Sequence, residues 1–426
     1  MNVLILGATG FIGSAVTRRL AGEGHQVTGL GREPARAALR MPQVRWLKAD
    51  LAGMTRSVDW QTALYGQRAV VNCAGALQDG LADDLTATQE KAMLALYEAA
   101  RDRELLIVQI SADTAGTGPD LPFLDTKRRA DGALAASGVR HVILRPALVL
   151  GRNAHGGSAL LRALAAFPLA IPLAYADSPV TTVALDDVAG AVSAAIGGVL
   201  PSGSDLSLAG DEGLTLKDLV LLHRNWLGLL PAPVFAVPPM AAWPVTWLAD
   251  LAGRLGWRSP LRSTALAVMA GGVEVRRQPG SDQRLSSAAE TLAAAPSGVQ
   301  DLWFARLYLL KAPIIVALAL FWLVSGLTPF LAFEAARSHF ASFLPGHAAG
   351  AMVAVTCLAD IALGLAVLFR PWARRALIGM LVLTLAYLLA ATFAEPALWL
   401  DPLGPLVKVV PSILLALTAL AILDER

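Results

Sequence analysis

The chain has 426 residues, more than one ordinary domain, so we expect two or three domains. Hydrophobic residues make up 55% of it and charged residues 16%, a balance that excludes a purely soluble protein. The formal net charge of +2, without a basic patch interleaved with aromatic residues, gives no support for nucleic acid as a partner. Cys73 and Cys357 lie far apart and the six histidines are scattered, so neither a disulfide framework nor a metal site is expected.

The chain begins with a short apolar run, Val3–Leu6, followed by GATGFIG at residues 7–13 and then a helical pattern. The first N–H groups of a helix lack partners and carry partial positive charge, so a strand–turn–helix of this kind is a ready phosphate site. Gly7 permits the tight turn, Gly10 lets the backbone approach a pyrophosphate, and Gly13 lets the helix lie close to the strand. The expected cofactor contacts are Gly7, Thr9, Gly10, Phe11, Ile12 and Gly13. The alternative is a packing turn without a ligand.

Residues 1 to about 150 alternate short apolar runs with amphipathic stretches, the pattern of a doubly wound parallel sheet covered by helices. The predicted strands are Val3–Leu6, Gln26–Leu30, Val44–Lys48, Ala69–Asn72, Leu106–Ile110 and His141–Leu144, and the predicted helices include Ser14–Gly22, Ala87–Arg101 and Lys127–Ala136.

The residues after the second and third strands bear on the choice of dinucleotide. An NAD-preferring site places an acidic residue about twenty positions past the glycines, where it binds the ribose 2′-OH. Gly31 and Arg32 instead leave room and positive charge for a 2′-phosphate, which favours NADP(H) over NAD(H). The alternative is a solvated arginine in a surface loop. Asp50 and Leu51 end the third strand beside the expected adenine edge, although Asp50 is equally suited to cap the next turn.

The fourth strand ends in the small residues NCAG at 72–75. With GATGFIG, Ser111 after the fifth strand and LRPALVLG at 144–151, they resemble an extended or atypical short-chain dehydrogenase/reductase. The resemblance covers residues 1 to about 225 and is strongest to the atypical branch that includes the NADPH-binding accessory subunit of respiratory complex I. It implies a Rossmann-like domain with further cofactor contacts at Cys73, Ala74 and Gly75.

Catalysis in this family uses a serine, a tyrosine and a lysine, the tyrosine exchanging a proton with the substrate oxygen during hydride transfer. The resemblance assigns the serine role to Ser111 and the lysine role to Lys127, while the tyrosine position is Phe123. Phenylalanine has no ionisable proton, and no tyrosine lies between Tyr97 and Tyr175, so ordinary alcohol–ketone turnover is not expected. Lys127 is still able to bind the nicotinamide ribose.

The elements after the sixth strand are also those of the family. Arg145 borders the substrate cleft in the resemblance, and the alternative is a charge in a strand-to-loop bend. Thr181–Val188 is predicted to be a strand entering a helix with Asp186 or Asp187 as its N-cap. Gly213–Leu227 is predicted to be an amphipathic helix, and substrate-side elements continue to about residue 277.

An apolar helix predicted over Met240–Leu255 carries Trp243 and Trp247. Tryptophans of this kind suit a membrane interface, where one ring edge is wet and the other dry, but the helix is equally suited to close the substrate domain as part of its core. The polar, Ser- and Ala-rich stretch that follows predicts a connector over residues 278–306.

Residues 307–426 have the composition of a membrane domain. Four apolar segments each approach the roughly twenty residues that span a bilayer, and they are Ala312–Phe333, Ala348–Phe369, Ala376–Phe393 and Leu403–Leu423. Short turns are predicted between them, over Glu334–Gly346, Arg370–Arg375 and Ala394–Pro402. The domain resembles the DoxX-like family of small four-span membrane proteins, which implies an all-α four-helix transmembrane bundle after the α/β domain.

The basic residues predict the orientation of this bundle. Arg370, Arg374 and Arg375 lie between the second and third spans, and Arg306 and Lys311 precede the first. By the positive-inside rule both groups are cytoplasmic, so the N-terminal domain and the C-terminus are expected on the cytoplasmic side of a bacterial-type inner membrane. The first strand begins at residue 2, so no signal peptide is expected.

Three ionisable residues lie within or at the edge of the predicted spans, namely Lys311, Asp360 and Lys408. A charge near the bilayer centre costs about 2.5 to 3.5 kcal/mol on insertion scales unless it faces a partner. Asp360 lies about midway along the second span. Lys408 lies about a turn and a half into the fourth span, where its side chain is able to pair with Asp360 or to snorkel outward. Structural pairing is one interpretation, and a polar pocket for a quinone head group or a proton path is the other.

These patterns support two functions. The first is a membrane-anchored NADP(H)-binding oxidoreductase, or redox sensor, acting on a lipophilic substrate such as a quinone, isoprenoid or lipid intermediate. The second is a non-catalytic NADP(H)-binding assembly or stability factor for a membrane complex, which the phenylalanine at position 123 favours.

Overall fold

The computed structural model describes residues 1–76, 78–81, 84–113, 121–275, 284–341, 344–402 and 404–424. The chain forms two compact units. The first comprises Met1–Asp250 and Ser259–Ala305, and the second comprises Leu251–Arg258 and Arg306–Arg426.

A seven-stranded parallel sheet organises the first unit. The strands of this unit are β1 (Asn2–Leu6), β2 (Gln26–Gly31), β3 (Arg45–Lys48), β4 (Ala69–Asn72), β5 (Leu106–Ile110), β6 (Arg140–Pro146), β7 (Leu148–Leu150), β8 (Ile171–Leu173), β9 (Pro179–Val180), β10 (Thr182–Ala184), β11 (Ser204–Leu208), β12 (Leu214–Thr215) and β13 (Val234–Ala236). The sheet order is β11-β6-β5-β4-β1-β2-β3, with every neighbouring pair parallel. The order reverses between β1 and β4, and in such sheets the ligand crevice lies at that point, outside the carboxyl ends of the strands.

Helices cover both faces of the sheet. Those of the first unit are α1 (Phe11–Gly22), α2 (Pro34–Arg40), α3 (Gln61–Leu64), α4 (Ala92–Ala100), α5 (Pro122–Ala136), α6 (Gly157–Ala165), α7 (Leu185–Ile196), α8 (Leu216–Trp226), α9 (Pro239–Arg254, whose last four residues belong to the second unit), α10 (Ser263–Gly271), α11 (Ala288–Ala294) and α12 (Val299–Tyr308, whose last three residues do so too). Alternate residues of β1 point to opposite faces, so Val3 and Ile5 pack in one core with α1 and α7, while Leu4 and Leu6 pack in the other with α4 and α5.

In the described part of the unit, three two-stranded ladders lie beyond the main sheet and pair β7 with β10, β8 with β13, and β9 with β12. A third core joins these strands to α6, α8 and α11, with Leu161, Leu219 and Val220 among its buried side chains. Ala288 and Ala305, from the segment predicted as a connector, are buried in the same core. The described residues of that segment therefore form two short helices, α11 and most of α12.

The six predicted strands are present within two residues of their expected ends, whereas β11 was not predicted. Helix α5 begins at Pro122, five residues earlier than expected. The predicted N-cap of α7 is wrong. Ala184 occupies that position without a side-chain cap, and Asp187 instead accepts a hydrogen bond from the Ser286 N–H at 2.7 Å.

The second unit is helical. Its helices are α13 (Lys311–Leu331), α14 (Phe333–Phe340), α15 (Gly346–Leu368), α16 (Arg370–Ala394) and α17 (Val410–Ile422). Among the described residues α13, α15 and α16 are long and apolar enough to cross a membrane, and residues 407–422 form a shorter apolar helix. Glycines bring α13 and α15 together, because a Cβ at Gly326 would lie 2.7 Å from the Cys357 carbonyl oxygen.

Two of the predicted turns in this unit are helical. Helix α14 occupies much of the stretch 334–346, and the arginine-rich stretch 370–375 is the first part of α16. The polar or charged composition of these two stretches therefore did not predict their local conformation.

Candidate functional site

The glycine turn after β1 leaves no room for a side chain at Gly7 or at Gly13. Gly7 has φ of +70°, and a Cβ there would lie 2.9 Å from the backbone nitrogen of Ala74. A Cβ at Gly13 would lie 2.1 Å from the Gly7 carbonyl oxygen. The first conformation is strained for any residue with a side chain, and the second contact is sterically impossible without movement of the backbone. The turn thus packs α1 directly against the end of β1.

The N-terminus of α1 carries open backbone donors. Gly10 is its N-cap and has no side-chain cap, and the first turn contains no acidic residue. The first intrahelical bond runs from the Ser14 N–H to the Gly10 carbonyl at 2.9 Å, so the N–H groups of residues 11–13 have no partner within the helix, while the Gly10 N–H donates to the Gly7 carbonyl at 2.9 Å. Thr9 and Gly10 are exposed. Such an end fits a pyrophosphate, because donors and helix dipole both favour a negative charge.

The strand register brings the other predicted cofactor residues to the same edge. Leu6 pairs with Leu30 on one side and Asn72 on the other, so the turn at Gly7 lies between the ends of β2 and β4. Arg32 follows β2 and is exposed, and Cys73, Ala74 and Gly75 follow β4. The Asn72 side chain accepts a hydrogen bond from the Ala74 N–H at 3.0 Å and thereby fixes the backbone of this segment.

Asp50 and Leu51 lie one strand further along. The Asp50 carboxylate accepts a hydrogen bond from the Ala52 N–H at 3.2 Å and caps the 3₁₀ turn Leu51–Gly53. Of the two roles considered for Asp50, the capping contact is therefore present. Leu51 is buried in the core below the sheet edge.

The three catalytic positions of the resemblance lie around the end of β5. Ser111 is buried, and its hydroxyl donates to Asp131 Oδ2 at 2.5 Å. Lys127 Nζ donates to the Ile110 carbonyl at 3.1 Å and lies close to Gly75, since a Cβ at Gly75 would be 3.5 Å from it. Phe123 is buried in an apolar cluster with Leu85, Leu121, Ala267 and Val268.

Arg145 is held by several acceptors of the protein itself. Its guanidinium donates to both carboxylate oxygens of Asp205, at 2.7 and 2.8 Å, and to the Ala112 carbonyl at 2.8 Å. Its Nη1 also lies 2.9 Å from Asp131 Oδ2. These contacts join β6 and the residue after Ser111 to β11 and α5.

Burial perturbs the ionisable groups of this cluster. It raises the pKa of the Asp131 carboxyl above its ordinary value, although Ser111, Arg145 and Lys127 each act to lower it. Burial lowers the pKa of Lys127, an effect that Asp131 opposes. Burial also raises the pKa of the Cys73 thiol to about 12, so this thiol is protonated at neutral pH.

Two residues of the cluster were missed from the sequence. Asp131 lies four residues after Lys127, one turn further along the same face of α5, and that spacing is visible in the sequence. Asp205 lies on β11, a strand that the sequence pattern did not reveal. His155 was also missed, and its ring stacks on Phe11 of the glycine turn with centroids 6.4 Å apart.

The polar site of the second unit differs from the expected pairing. Ser325 Oγ donates to Asp360 Oδ2 at 2.8 Å, and the Tyr387 hydroxyl donates to Oδ1 at 2.9 Å. Asp360 is buried between α13, α15 and α16, whereas Lys408 is exposed. Of the two possibilities for Lys408, pairing with Asp360 is therefore wrong and an outward position remains, while two hydroxyl groups satisfy the Asp360 carboxyl group.

The strand order, the glycine turn at its switch point and the open helix end define a dinucleotide-binding Rossmann domain, followed by a membrane-type helical unit. Residues 7–195 match the family described as "NAD(P)H-binding", and residues 319–417 match the DoxX-like family. The chain thus combines a segment that matches an NAD(P)H-binding family with a segment that matches the DoxX-like family.

Curated relatives resemble the first part of the chain. The human epimerase family protein SDR39U1 is 27% identical over 261 residues, which cover 56% of this chain and 86% of that protein. An uncharacterised protein of Mycobacterium tuberculosis is 28% identical over 219 residues, covering 51% of this chain. Those residues span only 22% of the mycobacterial relative.

Solved structures are also similar to the same part of the chain. The dTDP-glucose 4,6-dehydratase of Bacillus anthracis in complex with NAD superposes with a TM-score of 0.48 and 16% identity, covering 56% of this chain and 84% of that one. The UDP-glucose 4-epimerase of Thermotoga maritima gives a TM-score of 0.47 and 19% identity, covering 56% and 86%.

Proposed function

We propose that the protein is a membrane-anchored NADP(H)-dependent oxidoreductase whose substrate is lipophilic, of the quinone, isoprenoid or lipid-intermediate class. The observation that carries the proposal is the glycine turn of residues 7–13, where backbone contacts exclude side chains at Gly7 and Gly13, in a chain whose described residues include three helices long enough to span a bilayer. A tether at the membrane raises the local concentration of a substrate dissolved in the lipid.

The residues at the sheet edge fit the parts of the cofactor. The open N–H groups of α1 would hold the pyrophosphate, with Thr9, Phe11 and Ile12 beside it. Arg32, after β2, would meet a 2′-phosphate and so favour NADP(H). Lys127, adjacent to Gly75, would bind the nicotinamide ribose, and the reduced cofactor would supply a hydride.

The proton for such a reaction has a candidate source in the cluster around β5. Phe123 has no ionisable proton. The Ser111 hydroxyl occupies the family's serine position and is hydrogen-bonded to the buried carboxyl group of Asp131. We propose that Ser111 gives its proton to the substrate oxygen and recovers one from Asp131. The carboxylate so formed is stabilised by Arg145 at 2.9 Å and by the nearby Lys127. The transfer consumes one hydride and one proton, as reduction of a carbonyl requires.

The surroundings of Phe123 support an apolar substrate. The ring packs with Leu85 and Leu121, and Ala267 and Val268 of α10 lie against the same cluster. A tyrosine hydroxyl at this position would face hydrocarbon. An apolar wall beside the expected hydride position suits a prenylated or acylated molecule better than a sugar.

We place the N-terminal domain and the C-terminus on the cytoplasmic side of a bacterial-type inner membrane, with residues 407–422 as a fourth span. The basic residues support this orientation, because Arg370 and Arg374 at the start of α16 and Lys311 at the start of α13 lie at one end of the bundle. Lys311 Nζ and the Arg370 guanidinium both donate to the Leu423 carbonyl, which supports a common end.

A non-catalytic role is the second candidate. The absence of a tyrosine at position 123 and the contact of Ser111 with an internal carboxylate favour a cofactor that is held without turnover. The protein would then be an NADP(H)-binding assembly or stability factor for a membrane complex.

One experiment separates the two. The protein purified in detergent is analysed by mass spectrometry for bound nucleotide and then given NADPH with a short-chain ubiquinone analogue. Oxidation of NADPH that is lost in both Ser111→Ala and Asp131→Asn supports the oxidoreductase. Bound NADPH that stays reduced with every acceptor tested supports the assembly factor, and a protein that binds no nucleotide contradicts both.

A further inference from the structure

Helix α9 has its large apolar side chains on the outside. Met240 is 88% exposed, Trp243 67%, Trp247 56% and Leu248 57%. The buried residues of the helix are small, namely Thr246, Ala249 and Gly253. No residue from Pro239 to Ala249 is charged. The helix therefore exposes its large apolar residues and buries small ones, the reverse of a helix that packs on a water-soluble domain.

Helix α8 of the same unit shows the ordinary arrangement. Leu216, Leu219 and Val220 are buried there, while Lys217 and Asp218 face outward. The difference is not one of composition alone, because both helices carry enough apolar residues to cover a core. An outward face of two tryptophans, a methionine and a leucine costs free energy in water and marks a surface that is covered by something else.

The chain that follows α9 indicates what covers it. Trp257 Nε1 donates to the Leu368 carbonyl at the end of α15, at 2.6 Å, and the Leu255 carbonyl accepts from the Arg370 N–H, at 3.0 Å. The Lys311 ammonium and the Arg370 guanidinium lie 5.9 and 5.5 Å from the centre of the Trp257 ring. These contacts lie at the end of α15 and at the starts of α13 and α16. Tryptophan and basic side chains at the ends of membrane helices lie at the depth of the lipid head groups.

We propose that α9 lies in the interface of the bilayer, with the face formed by Met240, Trp243, Trp247 and Leu248 immersed among the lipid acyl chains. Its partner is the lipid surface itself. The helix ends in the exposed Arg254, which suits contact with phosphate head groups. The spanning helices anchor the chain without this contact, so the proposal adds a second, peripheral attachment and does not depend on any catalytic activity.

Photolabelling of the unmodified full-length protein tests the proposal directly. The protein is reconstituted in vesicles of phosphatidylcholine and phosphatidylglycerol that contain a diazirine-bearing phospholipid, and labelled peptides are mapped by mass spectrometry. We expect residues 240–251 to be labelled at least about ten-fold above the α2 peptide, whose exposed Leu39 is the control for collision in water. Label confined to α13, α15 and α16 would overturn the proposal.

Spin-label depth provides a second measurement. Single cysteines replace Trp247 and, as the control, Leu39, in a background in which Cys73 and Cys357 are serine. We expect the nitroxide at position 247 to be more accessible to oxygen than to a water-soluble nickel chelate, and the one at position 39 to show the reverse. Equal profiles at both positions, or spin–spin broadening that shows α9 against a second copy of the chain, would contradict insertion. If the cysteine-free background does not fold, the photolabelling of the unmodified chain decides alone.

Discussion

The Ser111 hydroxyl donates a hydrogen bond of 2.5 Å to the carboxyl group of Asp131, and both side chains are buried at the end of β5. The other carboxyl oxygen, Oδ1, is buried without a hydrogen-bond partner among the described residues. An unpaired oxygen of this kind is less costly on a neutral carboxyl than on a carboxylate. The geometry thus agrees with the raised pKa of Asp131. Burial is the largest cause of that rise in the pKa.

The raised pKa makes the stability of the protein depend on pH. The folded chain holds the Asp131 proton more tightly than the unfolded chain, so the resulting stabilisation is complete below the unfolded pKa and is lost as pH rises through the folded pKa. The free energy of unfolding of the wild type, measured against Asp131→Asn, should therefore fall with rising pH by up to about 1.4 kcal/mol per unit.

The measurement is chemical unfolding of both proteins in the same detergent from pH 4 upward. Ser111→Ala is the matched control, because it keeps the carboxyl but removes a donor that lowers its pKa. That variant should retain the fall and extend it to higher pH, because only the folded pKa is raised. Parallel profiles for the wild type and Asp131→Asn would show that folding does not raise the pKa of Asp131.

Replacement of Gly13 by valine should abolish nucleotide binding. Any Cβ at this position meets the Gly7 carbonyl oxygen at 2.1 Å, so α1 must move away from the turn that presents its N–H groups. We expect the affinity for NADPH to fall at least about a hundred-fold, since both the phosphate donors and the dipole are displaced. Isothermal titration calorimetry provides the measurement.

Gly22→Ala is the control for the effect of a side chain on the same helix. Gly22 is the last residue of α1, and a Cβ there would have nothing within 4 Å. This variant should bind as the wild type does. If Gly13→Val binds NADPH as tightly as the wild type, the glycine turn is not part of the nucleotide site.

Replacement of Arg32 by aspartate should shift the preference of the site from NADPH toward NADH. A carboxylate repels a 2′-phosphate and accepts a hydrogen bond from a 2′-OH, so the ratio of the two affinities should change by about ten- to a hundred-fold. Arg40→Asp, at the exposed end of α2, changes the net charge equally and should leave the ratio unchanged. An identical ratio in Arg32→Asp and the wild type would exclude Arg32 from cofactor contact.

The parts of the fold that follow from local pattern could be predicted from the sequence, and the parts that depend on long-range contacts could not. The strands β1 and β4 are continuous apolar runs beside glycine-rich turns, and the membrane helices are longer apolar runs. By contrast, β11 reads SDLSL, and its place in the sheet depends on pairing with β6 some sixty residues away. Asp205 was missed for that reason.

The same distinction explains the site in the second unit. Asp360 stands out in an apolar run, so a requirement for a partner was evident. Its partners, Ser325 and Tyr387, lie on two other helices at positions set by helix packing, which the sequence does not encode in any spacing. Lys408 was chosen for its charge, yet two neutral hydroxyls satisfy the carboxyl group.

Removal of the Asp301 carboxylate should destabilise the first unit strongly. Asp301 Oδ1 lies 3.5 Å from Nη1 of Arg162, whose side chain is 3% exposed, and Oδ2 accepts from the Gly298 N–H at 2.8 Å. Asp301→Ala leaves a buried guanidinium without its counter-charge, a change that costs about 3 to 5 kcal/mol. Glu104→Ala is the control, because its pair with Arg68 is exposed and worth less than about 1 kcal/mol. Equal melting temperatures for the two variants would contradict the assigned role.

The hydroxyl bonds to Asp360 should matter more for the stability of the second unit than the charge of the carboxylate. Asp360→Asn keeps an oxygen acceptor for Ser325 or Tyr387, whereas Asp360→Ala leaves both hydroxyls without their acceptor inside the bundle. We expect the alanine variant to unfold in detergent with about 1 to 3 kcal/mol less free energy than the wild type, and the asparagine variant to lose less. Tyr387→Phe separates this structural role from a functional one, because it removes one bond and keeps the carboxyl. If Asp360→Asn leaves both the stability and the oxidation of NADPH by a quinone analogue unchanged, the carboxyl group has no part in binding a quinone or in moving a proton.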